Sequence, residues 1–272
     1  MLMFRKLLIL LVPVVLAVAA PASAQSVEDM VAVSVLPGWR MQDGSHMAAL
    51  RFEMEPGWKT YWRAPGDAGI PPRFDWRGSR NLKAVEIIWP TPQQTTTSGL
   101  RTIGYEDNLV LPVHLIPAQA DQPISLAADM EIGLCSDICV PVQINAGLDL
   151  PLGAGERDPV IAAALAARPY SAEEAGVGRV ACTVAPLAGG GMRLVATIEM
   201  KQMGAQELVV VETDNPQLWV AQTETHRAGQ TLRAETELHH VTADGFMLDR
   251  SGLRLTVLST GDAVDIRGCA AP

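Results

Sequence analysis

No Gly-x-Ser-x-Gly elbow, no phosphate-cradling glycine loop and no His-Glu-x-x-His stretch occurs in these 272 residues. The usual signatures of a serine hydrolase, a nucleotide-phosphate site and a zinc protease are therefore missing. Carboxylates are scattered, with no pair that spacing alone brings together. There are no heptads, no low-complexity tract and no clear internal repeat, which argues against coiled coils and solenoids. Basic residues are in the minority, 21 Lys and Arg against 30 Asp and Glu for a formal net charge of −9. Such a surface argues against nucleic acid and anionic membranes as partners. Beyond residue 24 no run is long and apolar enough to span a bilayer.

What is present begins with a leader. "MLMFRKLLILLVPVVLAVAAPASAQ" opens with Arg5 and Lys6, continues through an apolar run from Leu7 to Ala20 and closes on Ala22-Ser23-Ala24. Residues 1–24 are expected to be a secretory signal peptide cut before Gln25, because the run is short and interrupted by proline. The mature chain is then exported without membrane insertion. Its roughly 250 residues fit one large domain or two of ordinary size.

Alternating apolar and β-branched positions recur through that chain, separated by Gly, Pro, Asn and Asp. "MVAVSVLPG", "HMAALRFEMEPG", "AVEIIWP", "NLVLPVHLIP" and "ISLAADMEIGL" read as strands. After residue 170 the pattern resumes in "MRLVATIEM", "QELVVVET", "QLWVAQTETH", "TLRAETELHHV", "GFMLDR" and "LRLTVLS". "AGGGMR" at 188–193 reads as a hairpin loop. Short strands at this spacing predict an all-β protein of antiparallel sandwiches. The exception is "LGAGERDPVIAAALAARPYSAEEAG", where Asp158 can cap a helical stretch, Pro159 suits its first turn and Arg168-Pro169 stops it. This segment predicts a connector over 153–172 between a first domain at 25–152 and a second at 173–272. The alternative is a crossover within one larger sandwich.

Cys135, Cys139, Cys182 and Cys269 all fall in the mature chain. An even count in an oxidising compartment fits two disulfides, but four cysteines permit three connectivities. On one straight strand the Cα atoms of Cys135 and Cys139 would lie roughly 13 Å apart, beyond the ~7 Å limit for a bridge. A bridge between them requires a turn, for which Ser136-Asp137 has the chemistry, so the pair is expected at an exposed hairpin tip. Loop-closure entropy makes that five-residue ring worth about 2 kcal/mol, against about 4.6 kcal/mol for a Cys182–Cys269 bridge. Cys182 opens the second domain and Cys269 closes it, which suits a structural disulfide. A short exposed bridge is the exchangeable kind, although a passive staple is the competing reading.

A soft-metal site is a third possibility, since thiolates and the nearby Met130 thioether suit Cu(I). There is no Met-x-x-Met run beside Cys135 and Cys139, however, and no His–Cys cluster at zinc spacing. The pairs His46-Met47 and His239-His240 read as surface residues. No metal and no cofactor is expected.

Four motifs in order carry a resemblance: "MEPGWKTYWRAPGDAGIPPRFDW", "VEIIWPTP", "IGYEDNLVLPVHL" and "LCSDICVPVQ". Over roughly residues 28–150 the chain resembles the periplasmic N-terminal domain of the thiol:disulfide interchange protein DsbD. It is most similar to the variant in ScsB-like suppressors of copper sensitivity, and the second half more weakly resembles the sandwich that follows there. The resemblance implies a periplasmic protein built from two immunoglobulin-like sandwiches, the first with an inserted active-site hairpin. It implies that Cys135 and Cys139 are the redox pair, with Cys139 forming mixed disulfides and Cys135 resolving them. The implied partners are a thioredoxin-fold periplasmic protein and a membrane-embedded electron carrier. Because this chain shows no multi-helix membrane region, that carrier is expected to act in trans. In the family the segment before "GYEDNLVLPV" caps the disulfide with acidic and aromatic residues; here "PTPQQTTTSGLRTIG" has neither. Trp62, Thr96, Thr97, Tyr105 and Pro141 are the candidates for cap or partner contact, and Trp58, Tyr61 and Trp76 are further candidates for a wall. The reading from another class is a non-catalytic periplasmic binding module, serving copper tolerance or cytochrome maturation, with purely structural disulfides.

Overall fold

In "ISLAADMEIGLC" the residues Ile124, Leu126, Ala128, Met130, Ile132 and Leu134 are all buried, every second position. That is the period of a strand with one face in a core. The computed structural model describes residue 26 and residues 29–97, 99–153, 155–188, 190–242 and 245–272. The expected signal peptide lies outside them. No helix among the described residues is long and apolar enough to cross a membrane.

The protein is all-β, built as two sandwiches. The first comprises β1 (Val31–Arg40), β2 (His46–Met54), β3 (Lys59–Gly66), β4 (Arg73–Asp75), β5 (Leu82–Ile87), β6 (Gln93–Thr97), β7 (Leu100–Glu106), β8 (Asn108–Pro117), β9 (Ile124–Cys135) and β10 (Cys139–Leu150). One sheet has the order β1-β2-β8-β5. The other runs β10-β9-β3-β7-β6, with β4 also on β9. The second sandwich comprises β11 (Tyr170–Ser171), β12 (Val180–Pro186), β13 (Met192–Glu199), β14 (Leu208–Thr213), β15 (Leu218–Val220), β16 (Glu224–Ala228), β17 (Thr231–His240), β18 (Leu253–Leu258) and β19 (Ala263–Arg267). Its sheets have the orders β11-β19-β18-β14 and β12-β13-β17-β15, with β16 on β17. Pairing between these strands is antiparallel except where β11 joins β19, and an isolated parallel bridge links Ala181 to Ala270.

Each sandwich closes on its own apolar layer. Leu50, Phe52 and Leu111 face Met130, Ile132, Leu134 and Trp62 in the first. Leu194, Ala196 and Ile198 face Val209, Leu255 and Val257 in the second. "HMAAL" in β2 is buried at every position because its outer face is covered too. There Met47 and Ala49 pack on Ile161 of helix α1 (Pro159–Ala166). The helix starts as its residues require: Asp158 accepts from the amides of Val160 and Ile161 at 2.7 and 3.2 Å. The helical connector is therefore not a free tether. One end lies on the first sandwich and the other, through β11, extends a sheet of the second.

The two sandwiches also meet directly. Along β14 and β18 the outward residues Leu208, Val210 and Leu258, with Ala263 of β19, join the first core cluster. Arg63 of β3 reaches across to Glu212 at 3.0 Å and to the Thr256 hydroxyl at 3.1 Å. Gln222 donates to Asp67 at 2.5 Å.

One reading is corrected here. "GFMLDR" forms no strand; Phe246 and Leu248 pack on the second core from an irregular segment. "PTPQQTTTSGLRTIG" holds the hairpin β6–β7, paired from Gln93↔Gly104 to Thr97↔Leu100.

Candidate functional site

The longest hairpin of the first sandwich, β9–β10, ends in the Cys135–Cys139 disulfide. The two cysteines are directly opposite partners with Cα atoms 4.1 Å apart, joined by the turn Ser136-Asp137-Ile138. The turn is exposed, with Ile138 at 68% of its full accessibility. Strand β10 is the edge of its sheet. Cys139 is consequently exposed, whereas Cys135 is half-buried between β10 and β3.

Register then assembles the surroundings. Cys139 pairs Cys135, Cys135 pairs Lys59 and Lys59 pairs Glu106, so four strands contribute to one row across the sheet. Lys59 and Glu106 approach to 3.8 Å, opposite charges on facing positions. In the next row Leu134, Thr60 and Tyr105 point the other way, into the core. The row beyond returns to the outer face with Gly133 and Tyr61. Gly133 has no side chain, and the Tyr61 ring occupies that space: a Cβ on Gly133 would stand 2.7 Å from Tyr61 Cδ2. Lying across β9, the ring brings its hydroxyl to 3.1 Å from Cys139 Sγ. A disulfide sulfur carries no proton, so the phenol is the donor. Burial raises the Tyr61 pKa, which keeps the hydroxyl protonated at neutral pH.

A cleft of about 260 Å³ opens beside the bridge. It is lined by Thr60, Tyr61 and Tyr105 and by Gln93, Thr95, Leu100 and Thr102 of the β6–β7 hairpin. Thr95 and Thr102 face it from that hairpin and share a hydrogen bond of 2.8 Å. Lys59, Glu106 and Asp137 supply charge at the rim. The cleft beside the disulfide thus exposes mostly apolar surface, and its carboxylates come from β7 and the hairpin turn rather than from the segment between Pro90 and Gly104.

The candidates read from sequence are distributed unevenly around this cleft. Cys135 and Cys139 line it, and so does the largely buried Tyr105, 8% exposed, with its hydroxyl donated to the Pro90 carbonyl at 2.8 Å. Trp62 does not reach it; the side chain is fully buried in the core beneath, and Arg63 sits over its ring at 3.8 Å. Trp58 and Trp76 also belong to the core clusters. Thr96 faces a different gap, toward Gln206 and Thr223 of the second sandwich. Alternation puts Thr95, one residue earlier, on the cleft side. Thr97 pairs with Leu100 at the hairpin end, and its side chain lies outside the described residues. Pro141 is exposed on β10 opposite Gly133, outside the cleft. Sequence reasoning missed Lys59, Glu106, Gly133 and Thr95. Their signal is cross-strand register, which sequence spacing does not carry.

Cys182 and Cys269 form the other disulfide, across 87 positions, with Cα atoms 5.7 Å apart. Cys182 is fully buried in the second core. Met130 is buried as well, away from the rim, and His46 is 2% exposed, bonded to the Pro37 carbonyl rather than lying on the surface. His239 leans on Trp219. Among the described residues no group of three or more His, Cys, Asp or Glu is arranged to hold a metal ion.

Residues 25–147 match the family described as thiol:disulfide interchange protein DsbD, N-terminal. Among solved structures the chain is similar to the N-terminal periplasmic domain of ScsB from Proteus mirabilis. The TM-score is 0.63 at 18% sequence identity, over 89% of this chain and 92% of that one. No curated protein matches the sequence. The first sandwich is thus similar in sequence to the DsbD N-terminal family, and the likeness to the ScsB domain is one of fold.

Proposed function

We propose that this chain is a periplasmic thiol–disulfide exchange module that works through the Cys135–Cys139 pair. The observation that carries the reading is the contrast between its two disulfides. Cys182–Cys269 is anchored by a sulfur enclosed in a core, while Cys139 is exposed on an edge strand at the rim of a cleft. Exchange needs a sulfur that a thiolate can approach along the S–S axis, and Cys139 meets that need better than the half-buried Cys135.

The step balances with two thiols and one disulfide. A partner thiolate attacks Cys139 Sγ, the bond to Cys135 breaks, and Cys135 departs as a thiolate. The partner's second thiolate then attacks its own sulfur in the mixed disulfide and releases Cys139. The pair is reduced and the partner oxidised; run in reverse, the same steps pass reducing equivalents outward. A thioredoxin-fold periplasmic protein is the partner this reading implies, with a membrane-embedded carrier in trans on the other side of the relay. Exposed Ile138 at the tip and Leu100 on the β6–β7 hairpin offer apolar contact for such a partner.

Trapping tests the proposal. Cys135→Ala protein should accumulate a mixed disulfide through Cys139 with a periplasmic thioredoxin-fold protein, and Cys139→Ala should not. A reduction potential well below about −300 mV with no adduct would mark the bridge as structural.

A further inference from the structure

We propose that Tyr61 donates the hydrogen bond that stabilises Cys139 as a thiolate, and so sets how fast the reduced pair exchanges at neutral pH. This inference rests on the exchange reading above. Its basis is the placement of one hydroxyl. Tyr61 Oη is 3.1 Å from Cys139 Sγ and has no other hydrogen-bond partner among the described residues. The side chain is 4% exposed, and its ring is clamped from two sides. A Cβ on Gly133 would come within 2.7 Å of the ring, and one on Gly69 within 2.9 Å. Two glycines from different parts of the chain leave room for one aromatic ring whose only polar atom meets the Cys139 sulfur. A phenol that merely filled the core would not need that end point.

The chemistry follows from charge. In the disulfide the hydroxyl donates to a weak, neutral acceptor. When the pair is reduced, the same donor faces a sulfur that can ionise, and hydrogen bonding to the charged form lowers its pKa. Cys139 thiolate then attacks a partner disulfide, a mixed disulfide forms and the partner's other sulfur leaves as a thiolate. Cys135 thiolate next attacks Cys139 and releases the second partner thiolate. The pair is oxidised and the partner reduced, with Tyr61 keeping its proton throughout. The other titratable groups around the cleft are Lys59, Glu106, Asp137 and Tyr105. Lys59 is paired with Glu106, and the Tyr105 hydroxyl is committed to Pro90.

Cys135→Ala protein isolates Cys139 as the single free thiol, and Tyr61→Phe in that background removes the donor but keeps the ring. The Cys139 pKa, read from the pH dependence of reaction with oxidised glutathione, should rise by about one unit in the double variant. Thiolate nucleophilicity rises with pKa while the thiolate fraction falls. The double variant should therefore react about threefold more slowly at neutral pH and about threefold faster well above both pKa values. A purely structural role would lower the rate at every pH, and that result, or an unchanged pKa, overturns the proposal. In Cys135→Ala protein with Tyr61 intact, the Tyr61 ring resonances should titrate together with the thiol; a flat response also overturns it. No partner protein enters these measurements. A pKa shift without any trapped thioredoxin-fold adduct therefore counts against the exchange reading alone.

Discussion

Gly133 shows how much one missing side chain decides. Its amide and carbonyl belong to β9, its carbonyl accepts from the buried Thr60 hydroxyl at 3.0 Å, and its bare Cα leaves space for Tyr61. Alanine there would meet both Tyr61 and Ile70 Cβ at 2.7 Å. Gly133→Ala is expected to destabilise the first sandwich by about 1–3 kcal/mol through overpacking, measured by urea denaturation. Removal of the Thr60 hydroxyl acts on the same spot by another route. Thr60→Val leaves the Gly133 carbonyl without its side-chain donor, at a cost of about 1–2 kcal/mol, checked in the same assay.

At the level of elements, the fold rests on hairpins whose legibility differs. β9 is obvious because one face is apolar and the other polar. β3 is obscure, because Thr60, Tyr61 and Trp62 are buried in succession: sheet neighbours and the clamped ring cover both faces. β6–β7 is obscure for the opposite reason, since "QQTTTSGLRT" is polar on both faces and alternation carries no contrast. Helix α1 was readable from its cap. Asp158→Ala should cost about 1 kcal/mol, with the loss seen in thermal melts. Because Ile161 packs on Met47 and Ala49, that loss should appear in the melting of the first sandwich and not as local fraying alone.

For the whole molecule, the contact between sandwiches is partly ionic and partly apolar. The Arg63 side chain is 13% exposed and Glu212 21%, so removing one partner strands a buried charge. Arg63→Ala is expected to destabilise by about 3 kcal/mol or more, whereas the double change Arg63→Met with Glu212→Leu should recover most of it; a double-mutant cycle in urea checks this. Acid attacks the same face. Burial raises the Asp265 pKa, but hydrogen bonds and charge from Arg254, with Arg267 and Arg63, outweigh it and hold the carboxyl below 3.8. Stability from this group is full above that value and is lost as pH falls through the lower native pKa. Asp265→Asn should therefore flatten the decline in stability measured below about pH 4. Loss of Cys182–Cys269, which closes the long ring, should cost about 4–5 kcal/mol. It should leave trapping at Cys139 intact.

Local sequence determined the elements whose physics is local. Alternation defined most strands, Asp158-Pro159 started the helix, and the four-residue separation of Cys135 and Cys139 demanded a turn between them. Tertiary structure decided what lies beside what. Thr95 rather than Thr96 faces the disulfide because hairpin pairing sets the face. Lys59 and Glu106 join the cysteine row through β3 and β7, some 30 to 75 residues away in the chain. Trp62 went into the core, and Tyr61 beside it went to the sulfur. Adjacent residues on a strand face opposite ways, and only the neighbouring strands determine which way leads to the site.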